Sequence, residues 1–193
     1  MDVTILKERL LALKDIFERE EAHLTNLDRA IGDGDHGVNM RRGFEALPAQ
    51  LDNQSIATLL KSTGMTLMSK VGGASGPLYG FSFVKMSQVA KDDIDHDNLI
   101  AILKAFEDAV AQRGKVTREE KTMYDVISRA REAVENGERV DLEKLQALAD
   151  ATRDIEATKG RASYFKKESL GYVDPGAQSS VYILNALIGD EKK

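Results

Sequence analysis

Three aspartates, one histidine and three glycines fall within residues 28–37 of this 193-residue chain. The carboxylates belong to Asp28, Asp33 and Asp35. Two like charges about 4 Å apart repel by roughly 4 kcal/mol at an effective dielectric constant near 20, so three converging carboxylates need a cation between them. Carboxylates completed by phosphate and water are the ligands that octahedral Mg²⁺ prefers. The spacing therefore predicts a magnesium site formed by Asp28, Asp33 and Asp35.

The sequence leaves open what His36 and the glycines do. Beside the acids, the imidazole of His36 could contact a phosphate, ligate the metal or cap the helix that follows. An ordinary turn would explain Gly34 and Gly37, because glycine adopts positive φ without strain. Such a turn would not need three acids.

Several common motifs fail at this stretch. Residues 32–37 match G-x-G-x-x-G, but a dinucleotide loop follows a strand and binds pyrophosphate through backbone N–H groups, and two carboxylates would repel the phosphates. An EF-hand starting at Asp33 would need glycine at 38 and glutamate at 44, where the chain has Val38 and Phe44. The sequence contains neither a Walker A motif nor the nucleophile elbow G-x-S-x-G that would support a Ser–His–Asp hydrolase.

A second glycine-rich loop, residues 72–76, carries Ala74 and Ser75 just before a predicted helix. Backbone N–H groups and the helix dipole make such an N-terminus a potential anion site. Taken alone, a loop of this kind is more often only a connection between helices.

Apolar residues recur at three- and four-residue spacing along most of the chain, which predicts an all-α fold in one domain spanning residues 1–193. Residues 81–84 alone would permit a short strand, but their neighbours continue a helical face. The methionines Met65, Met68 and Met86 are predicted to lie in the core. The eight predicted helices span residues 2–20 (continuing to about 31), 36–47, 56–70, 76–90, 97–113, 119–136, 141–159 and 177–188.

The composition narrows the class of protein. With 32 acidic and 27 basic residues the net charge is −5, and no basic block offers a nucleic-acid footprint. The absence of cysteine excludes disulfides, thiolate zinc sites and a cysteine nucleophile. The N-terminus lacks the features of a signal peptide and no apolar run reaches the length of a membrane span, so we expect a cytoplasmic protein that binds neither membrane nor nucleic acid.

Five motifs in order along the chain resemble the DhaL family, the nucleotide-binding subunits of phosphotransferase-system-dependent dihydroxyacetone kinases. The same domain forms the C-terminal part of ATP-dependent dihydroxyacetone kinases. The resemblance extends over essentially the whole chain. The motifs are Leu27-Asp28 through Ile31-Gly32-Asp33-Gly34-Asp35-His36-Gly37, the stretch from Gly72 to Gly80, Lys121-Thr122-Met123, Gly160-Arg161-Ala162-Ser163-Tyr164, and the stretch from Asp174 to Ser180.

The resemblance implies a barrel of eight antiparallel amphipathic helices that holds ADP or ATP tightly at one end, with a pair of Mg²⁺ ions on Asp28, Asp33 and Asp35. The residues from His36 to Asn39, with Ala74 and Ser75, would contact phosphates. Gly114 and Met123 would line the adenine pocket, although little motif surrounds Gly114 and Glu120 stands where members often have Gly-Asp. The full implied nucleotide set is His36, Gly37, Val38, Asn39, Ala74, Ser75, Gly114, Met123, Arg161, Asp174, Pro175 and Gly176.

The resemblance also implies a kinase subunit that works only with partners. A phosphohistidine on a DhaM-like partner would rephosphorylate bound ADP, and the resulting ATP would phosphorylate dihydroxyacetone held on a DhaK-like partner. No covalent catalysis is expected here, because His36, Ser75 and the metal site would only position the phosphoryl group. At 193 residues the chain has no room for the substrate-binding domain.

Two alternatives remain at this stage: an ADP-dependent interaction or regulatory module, and the same role toward a different acceptor. The sequence also leaves the oligomeric state open, a homodimer included.

Overall fold

The computed structural model describes residues 1–189, and within them it contains eight α-helices, three 3₁₀ segments and no strand. The predicted all-α class is therefore confirmed. The 3₁₀ segments are Leu47–Ala49, Ala151–Asp154 and Arg161–Ser169. The α-helices are α1 Val3–Ile31, α2 His36–Ala46, α3 Ile56–Lys70, α4 Ser75–Ser87, α5 His96–Gly114, α6 Met123–Glu135, α7 Leu142–Asp150 and α8 Pro175–Ile188.

The helices form a closed ring. Each helix packs against the next one along the chain, and α8 packs against α1 to close it. Helices that follow each other through short connections and pack side by side run antiparallel. The centre is filled by apolar side chains from every helix, with Phe17 of α1 stacked on Phe44 of α2 at 4.5 Å between ring centroids.

This topology sends alternate connections to opposite ends of the ring. The α1–α2, α3–α4, α5–α6 and α7–α8 connections reach one end, which we call the site end. The glycine-rich stretches 32–37 and 72–76 are two of these four connections. The ring thereby gathers motifs that are far apart in sequence.

Most of the helices carry their own N-terminal cap. The N-cap side chains of α1, α3, α5, α6, α7 and α8 each accept a hydrogen bond from the first turn, which stabilises a helix start by roughly 1 kcal/mol. The N-cap residues of α2 and α4, Asp35 and Ala74, make no such bond. The starts of α2 and α4 both lie at the site end, where their backbone N–H groups need acceptors from elsewhere in the chain or from a ligand.

Two predicted helix boundaries are wrong. Helix α6 begins at Met123 rather than 119, because Glu119 and Lys121 adopt positive φ and interrupt any helix there. Helix α7 ends at Asp150 rather than 159, because the chain turns through a 3₁₀ segment in which the Thr152 hydroxyl accepts the Asp174 N–H.

The prediction that Met65 and Met68 lie in the core is also wrong, since they are 57% and 44% exposed, whereas Met86 is fully buried. The buried face of α3 includes Thr63 and Thr66 instead. Their hydroxyls bond to carbonyls of their own helix, so burying them leaves no polar group unpaired.

Within residues 1–189, no helix combines the length and the apolar character that crossing a membrane requires.

Candidate functional site

A cavity of about 440 Å³ opens at the site end of the ring. All four connections that reach this end contribute to its wall, together with the last turns of α1 and α5. The lining residues are Asp28, Ile31, Asp33, Asp35, His36, Gly73, Ala74, Ser75, Pro77, Leu78, Val110, Arg113, Gly114, Val116, Lys121, Thr122, Met123, Lys159, Gly160, Arg161, Ala162, Asp174, Pro175 and Gly176.

The three predicted metal ligands converge on one side of this cavity. One carboxylate oxygen from each of Asp28, Asp33 and Asp35 lies within 4.8 Å of the others. Asp28 is buried, whereas Asp33 and Asp35 are exposed. Their oxygen-only donor set at this separation fits a hard divalent cation such as Mg²⁺.

Asp28 has a second task, because it caps helix α2 from the last turn of α1. Its Oδ2 accepts the backbone N–H groups of Asp35 at 2.8 Å and His36 at 3.0 Å. The other oxygen, Oδ1, would lie only 2.2 Å from a Cβ at position 32, so this position requires glycine. The acidic cluster is therefore built into the junction between α1 and α2.

An arginine that is distant in sequence reaches the same cluster. Arg161, in the connection between α7 and α8, forms an ion pair with Asp33. Because the Arg161 side chain is 69% exposed, water screens this pair and it adds little to stability. Its significance is that an exposed cationic side chain lies beside the carboxylates.

His36 lies in the cavity wall between Ser75, which also lines the cavity, and the fully buried Ser179. Its Nδ1 lies 3.1 Å from Ser75 Oγ and its Nε2 lies 2.9 Å from Ser179 Oγ. Burial of the ring lowers the pKa of His36 to about 4, despite the opposing effect of Asp35 and Asp33. Both ring nitrogens are occupied by hydroxyl groups, which speaks against direct metal ligation by His36.

Four helices, α2, α4, α6 and α8, begin at the cavity. The first residues of a helix leave backbone N–H groups unpaired and carry the positive end of the helix dipole. In α4 these donors belong to Ser75 and Gly76, and a Cβ at Gly76 would lie 2.2 Å from the Val71 carbonyl oxygen. Converging helix starts of this kind favour a phosphate or another anion.

Part of the cavity lining is apolar. It is formed by Leu78, Val110, Val116 and Met123, with the backbone of Gly114 between them. A Cβ at Gly114 would lie 3.4 Å from Leu78 and Val116, which is ordinary van der Waals contact, so Gly114 borders these two side chains. The cavity thus joins a polar, charged half to an apolar half, as expected for a ligand with a phosphate chain and a planar base.

The loop between α5 and α6 is held from two sides. Asp125, which is buried, accepts the N–H groups of Glu119 and Thr122 and pairs with Arg129. Lys121 is also buried and donates from Nζ to the carbonyl oxygens of Thr152 and Tyr172, and desolvation lowers its pKa.

Thr152 links the loop between α5 and α6 to the start of α8. Its hydroxyl accepts the Asp174 N–H at 3.0 Å, and the Asp174 carboxylate caps α8 through the N–H of Ala177. Burial raises the pKa of Asp174 to about 7, although the Ala177 N–H and the Lys121 ammonium oppose the shift. The segment from Asp174 to Gly176 is therefore fixed to the loop that holds Lys121.

The structure brings most of the predicted site residues to this one cavity. Those that line it are Asp28, Asp33, Asp35, His36, Ala74, Ser75, Gly114, Met123, Arg161, Asp174, Pro175 and Gly176. Gly37, Val38 and Asn39 do not: Gly37 packs against the Glu21 carbonyl, Val38 is 47% exposed, and Asn39 accepts a hydrogen bond from Arg42.

Several lining residues were not predicted. Lys121 and Thr122 belong to the motif Lys121-Thr122-Met123, from which only Met123 was predicted to line the site. The apolar residues Leu78, Val110 and Val116 gave no signal, because they follow the ordinary pattern of helix and loop residues facing a core.

Comparison with known proteins identifies the family of this fold and site. The model of the DAK2 domain family matches residues 30–189. The dihydroxyacetone kinase of C. freundii has a similar fold, with a TM-score of 0.74 and 22% identity over 97% of this chain and 34% of that one. A second C. freundii structure, in complex with AMP-PNP and Mg²⁺, gives a TM-score of 0.70 at 24% identity. At these identities the structures support the fold alone.

Relatives of similar length are closer in sequence. The ADP-binding subunit DhaL of PEP-dependent dihydroxyacetone kinase 1 from Listeria innocua is 42% identical over 186 residues, 93% of each chain. The ADP-binding subunit DhaL of Escherichia coli is 42% identical over 189 residues, 90% of each chain. Bovine triokinase/FMN cyclase is 34% identical, but the match covers only 32% of that protein. The chain therefore belongs to the DhaL family of DAK2-domain proteins, and its enzyme class is that of the kinases.

Proposed function

We propose that this chain is the nucleotide-binding subunit of a PEP-dependent dihydroxyacetone kinase, holding ADP or ATP with Mg²⁺ as a bound coenzyme. The observation that carries the proposal is the shared cavity, in which a carboxylate cluster, four helix starts and an apolar wall meet. Relatives with 42% identity bear the name of that subunit.

The phosphate chain would lie along the polar half of the cavity. The helix start of α4 and the hydroxyl of Ser75 would donate hydrogen bonds to it, and Arg161 would add a positive charge. Asp28, Asp33 and Asp35 would hold Mg²⁺, which when bound neutralises phosphate charge and orients the phosphate oxygens.

The base would occupy the apolar half. The side chains of Leu78, Val110, Val116 and Met123 would pack against the flat ring, beside the backbone of Gly114. The segment from Asp174 to Gly176 would border the ribose and phosphates, held in place by Lys121 and Thr152.

The proposed phosphoryl transfer requires that the phosphoryl group be positioned, and it needs no covalent intermediate on this chain. Phosphoryl transfer is accelerated mainly by in-line placement and by spreading charge over the transferred group. Here His36, Ser75 and the carboxylate cluster would do this. The phosphoryl donor would be a phosphohistidine on a DhaM-like partner, and the acceptor would be dihydroxyacetone bound to a DhaK-like partner.

The direct test is to identify what the purified protein carries. After gentle purification the protein is denatured and the supernatant is separated by anion-exchange chromatography, with Mg²⁺ measured by atomic emission. We expect about one ADP for each chain, with Mg²⁺ at about twice that amount if a pair of ions is present. Protein that is empty of nucleotide and also fails to bind added ADP would contradict the proposal.

A reconstituted assay separates the proposal from its rivals. The chain is combined with DhaK, DhaM and the general phosphotransferase proteins, and phosphorylation of dihydroxyacetone is followed with phosphoenolpyruvate as the donor. Tight ADP binding without turnover would indicate an interaction module instead. Turnover that appears only with another acceptor would assign the same role to a different substrate.

A further inference from the structure

Ser75, His36, Ser179 and Tyr79 form a hydrogen-bonded series that starts at the cavity wall and ends in the core; we call these four residues the hydroxyl–imidazole chain. Ser75 Oγ lies 3.1 Å from His36 Nδ1, His36 Nε2 lies 2.9 Å from Ser179 Oγ, and Ser179 Oγ lies 2.7 Å from the Tyr79 hydroxyl. Ser179 and Tyr79 are both 0% exposed and are not lining residues of the cavity. The proposed function assigns nothing to either of them.

The protons of this chain can be arranged in two directions. In the inward direction Ser75 donates to Nδ1, Nε2–H donates to Ser179, and the Gly176 carbonyl accepts from Ser179 or Tyr79, which lie 3.1 and 3.2 Å from it. In the outward direction Tyr79 donates to Ser179, Ser179 donates to Nε2, and Nδ1–H donates to Ser75. Each direction fixes one tautomer of the neutral imidazole.

A bound phosphate discriminates between the two directions. Phosphate oxygens accept hydrogen bonds and donate none at neutral pH. In the inward direction the Ser75 proton is used by His36, so its oxygen would present only lone pairs to the phosphate. In the outward direction Ser75 accepts from His36 and its own proton is free to face the cavity.

The buried phenol supports a dedicated role for the far end of the chain. Tyr79 packs against Phe106, with 6.3 Å between ring centroids, and phenylalanine would serve that packing. Burying a hydroxyl among apolar side chains is unfavourable unless it is hydrogen-bonded. The Tyr79 hydroxyl contacts only Ser179 and the Gly176 carbonyl within the described residues.

We propose that Ser179 and Tyr79 are positioning residues which hold His36 in its Nδ1–H tautomer and thereby direct the Ser75 hydroxyl to a bound nucleotide phosphate. The proposal rests on the proposed function, because the phosphate sets the direction of the chain. Neither residue touches the nucleotide, so both act through His36.

The test uses full-length protein labelled with ¹⁵N-histidine, whose ring correlations distinguish the two tautomers. His23 and His96 are exposed helix residues and serve as internal references. The variants are Ser179→Ala and Tyr79→Phe. The matched control is Ser180→Ala, because Ser180 is equally buried on the same helix but donates to its own helix at the Ala177 carbonyl.

With ADP and Mg²⁺ bound, we expect wild-type His36 to carry its proton on Nδ1, with Nε2 accepting. Ser179→Ala should move the spectrum toward the Nε2–H tautomer and raise the dissociation constant for ADP about tenfold, because one buried hydrogen bond is lost. Tyr79→Phe should also move the spectrum toward the Nε2–H tautomer, but less far, and should raise the dissociation constant for ADP about threefold. Ser180→Ala should change neither.

The proposal is overturned if loaded wild-type His36 is the Nε2–H tautomer, or if Ser179→Ala matches Ser180→Ala in spectrum and affinity. Failure of wild-type protein to bind ADP would instead count against the proposed function. In that case the spectra of the ligand-free protein test the positioning role. A change in the His36 Nε2 resonance in Ser179→Ala, but not in Ser180→Ala, supports that role, and no change in Ser179→Ala overturns it.

Discussion

Arg161 is paired with Asp33, one of the three carboxylates that converge to form the candidate cation site. Asp33 lies in the α1–α2 connection and Arg161 in the α7–α8 connection, which are far apart in sequence. Both residues are exposed and line the cavity. A guanidinium group beside Asp33 can neutralise it before a cation arrives. It can then turn to a phosphate once the cation has taken its place.

This relationship predicts opposite effects of Arg161→Gln on two ligands. Mg²⁺ alone should bind about threefold more tightly, because an exposed competing ion pair is lost, whereas ADP with Mg²⁺ should bind more weakly. Isothermal titration calorimetry measures both. Arg153→Gln is the control, because Arg153 is an exposed arginine nearby that does not line the cavity. Weaker binding of Mg²⁺ alone would show that Arg161 is no competitor for Asp33.

Asp35 and Asp28 should respond differently to substitution. Asp35 is exposed and its side chain makes no capping hydrogen bond to α2, so Asp35→Asn should leave the helical fold intact. Because the metal site loses a carboxylate, the variant should no longer retain ADP. Asp28 caps α2, so Asp28→Ala should also lower the free energy of unfolding by about 1 kcal/mol. Nucleotide content and urea unfolding test both variants, with the exposed Asp15→Asn as control. Unchanged ADP content in Asp35→Asn would remove Asp35 from the metal site.

Lys121 should be needed for stability and for ADP binding. Lys121→Met keeps the length of the side chain but leaves two carbonyl oxygens without their donor, which should lower the free energy of unfolding by about 1–3 kcal/mol. ADP affinity should fall as well, because the start of α8 loses support. Lys115→Met is a matched control, since Lys115 lies in the same loop, also at positive φ, but is exposed. Equal stability of the two variants would contradict this prediction.

Asp174 predicts a pH dependence of the stability of the ligand-free protein. Its pKa is raised from 3.8 to about 7, so between these values the folded chain keeps a proton that the unfolded chain loses. The contribution of Asp174 is therefore fully present below pH 4 and is lost as the pH rises through 7. Asn keeps the capping oxygen without the ionisation. Between pH 4 and pH 8, the free energy of unfolding of Asp174→Asn should rise relative to that of the wild type by on the order of 4 kcal/mol, measured by urea unfolding. A pH-independent difference would show that the carboxyl group ionises normally.

The helices could be predicted from the sequence because their signals are local. Apolar spacing marks each buried face, and Ser55, Asp95 and the Asn136-Gly137 stop mark where α3 and α5 begin and where α6 ends. The errors lie where distant contacts decide. Nothing local indicates that Glu119 and Lys121 adopt positive φ, because Asp125 and the carbonyls of Thr152 and Tyr172 hold them there.

The charged half of the site was predictable and the apolar half was not. Three aspartates within eight residues are rare enough to indicate a cation, whereas Leu78 and Val110 look like any other apolar helix residues. The ring topology, which no single segment encodes, brings these residues to one cavity. The chain formed by Ser179 and Tyr79 escaped prediction for the same reason, since the two residues are 100 positions apart.

The alternation of the helix connections places the other end of the ring away from the cavity. The connections 47–55, 88–95 and 136–141 lie there, and the N-terminal amine contacts the Ile94 carbonyl at that end. Gly137, at positive φ, has open space around it. Loops with free surroundings tolerate added sequence well. A tag or a further domain inserted after Gly137 should therefore leave the cavity at the site end undisturbed.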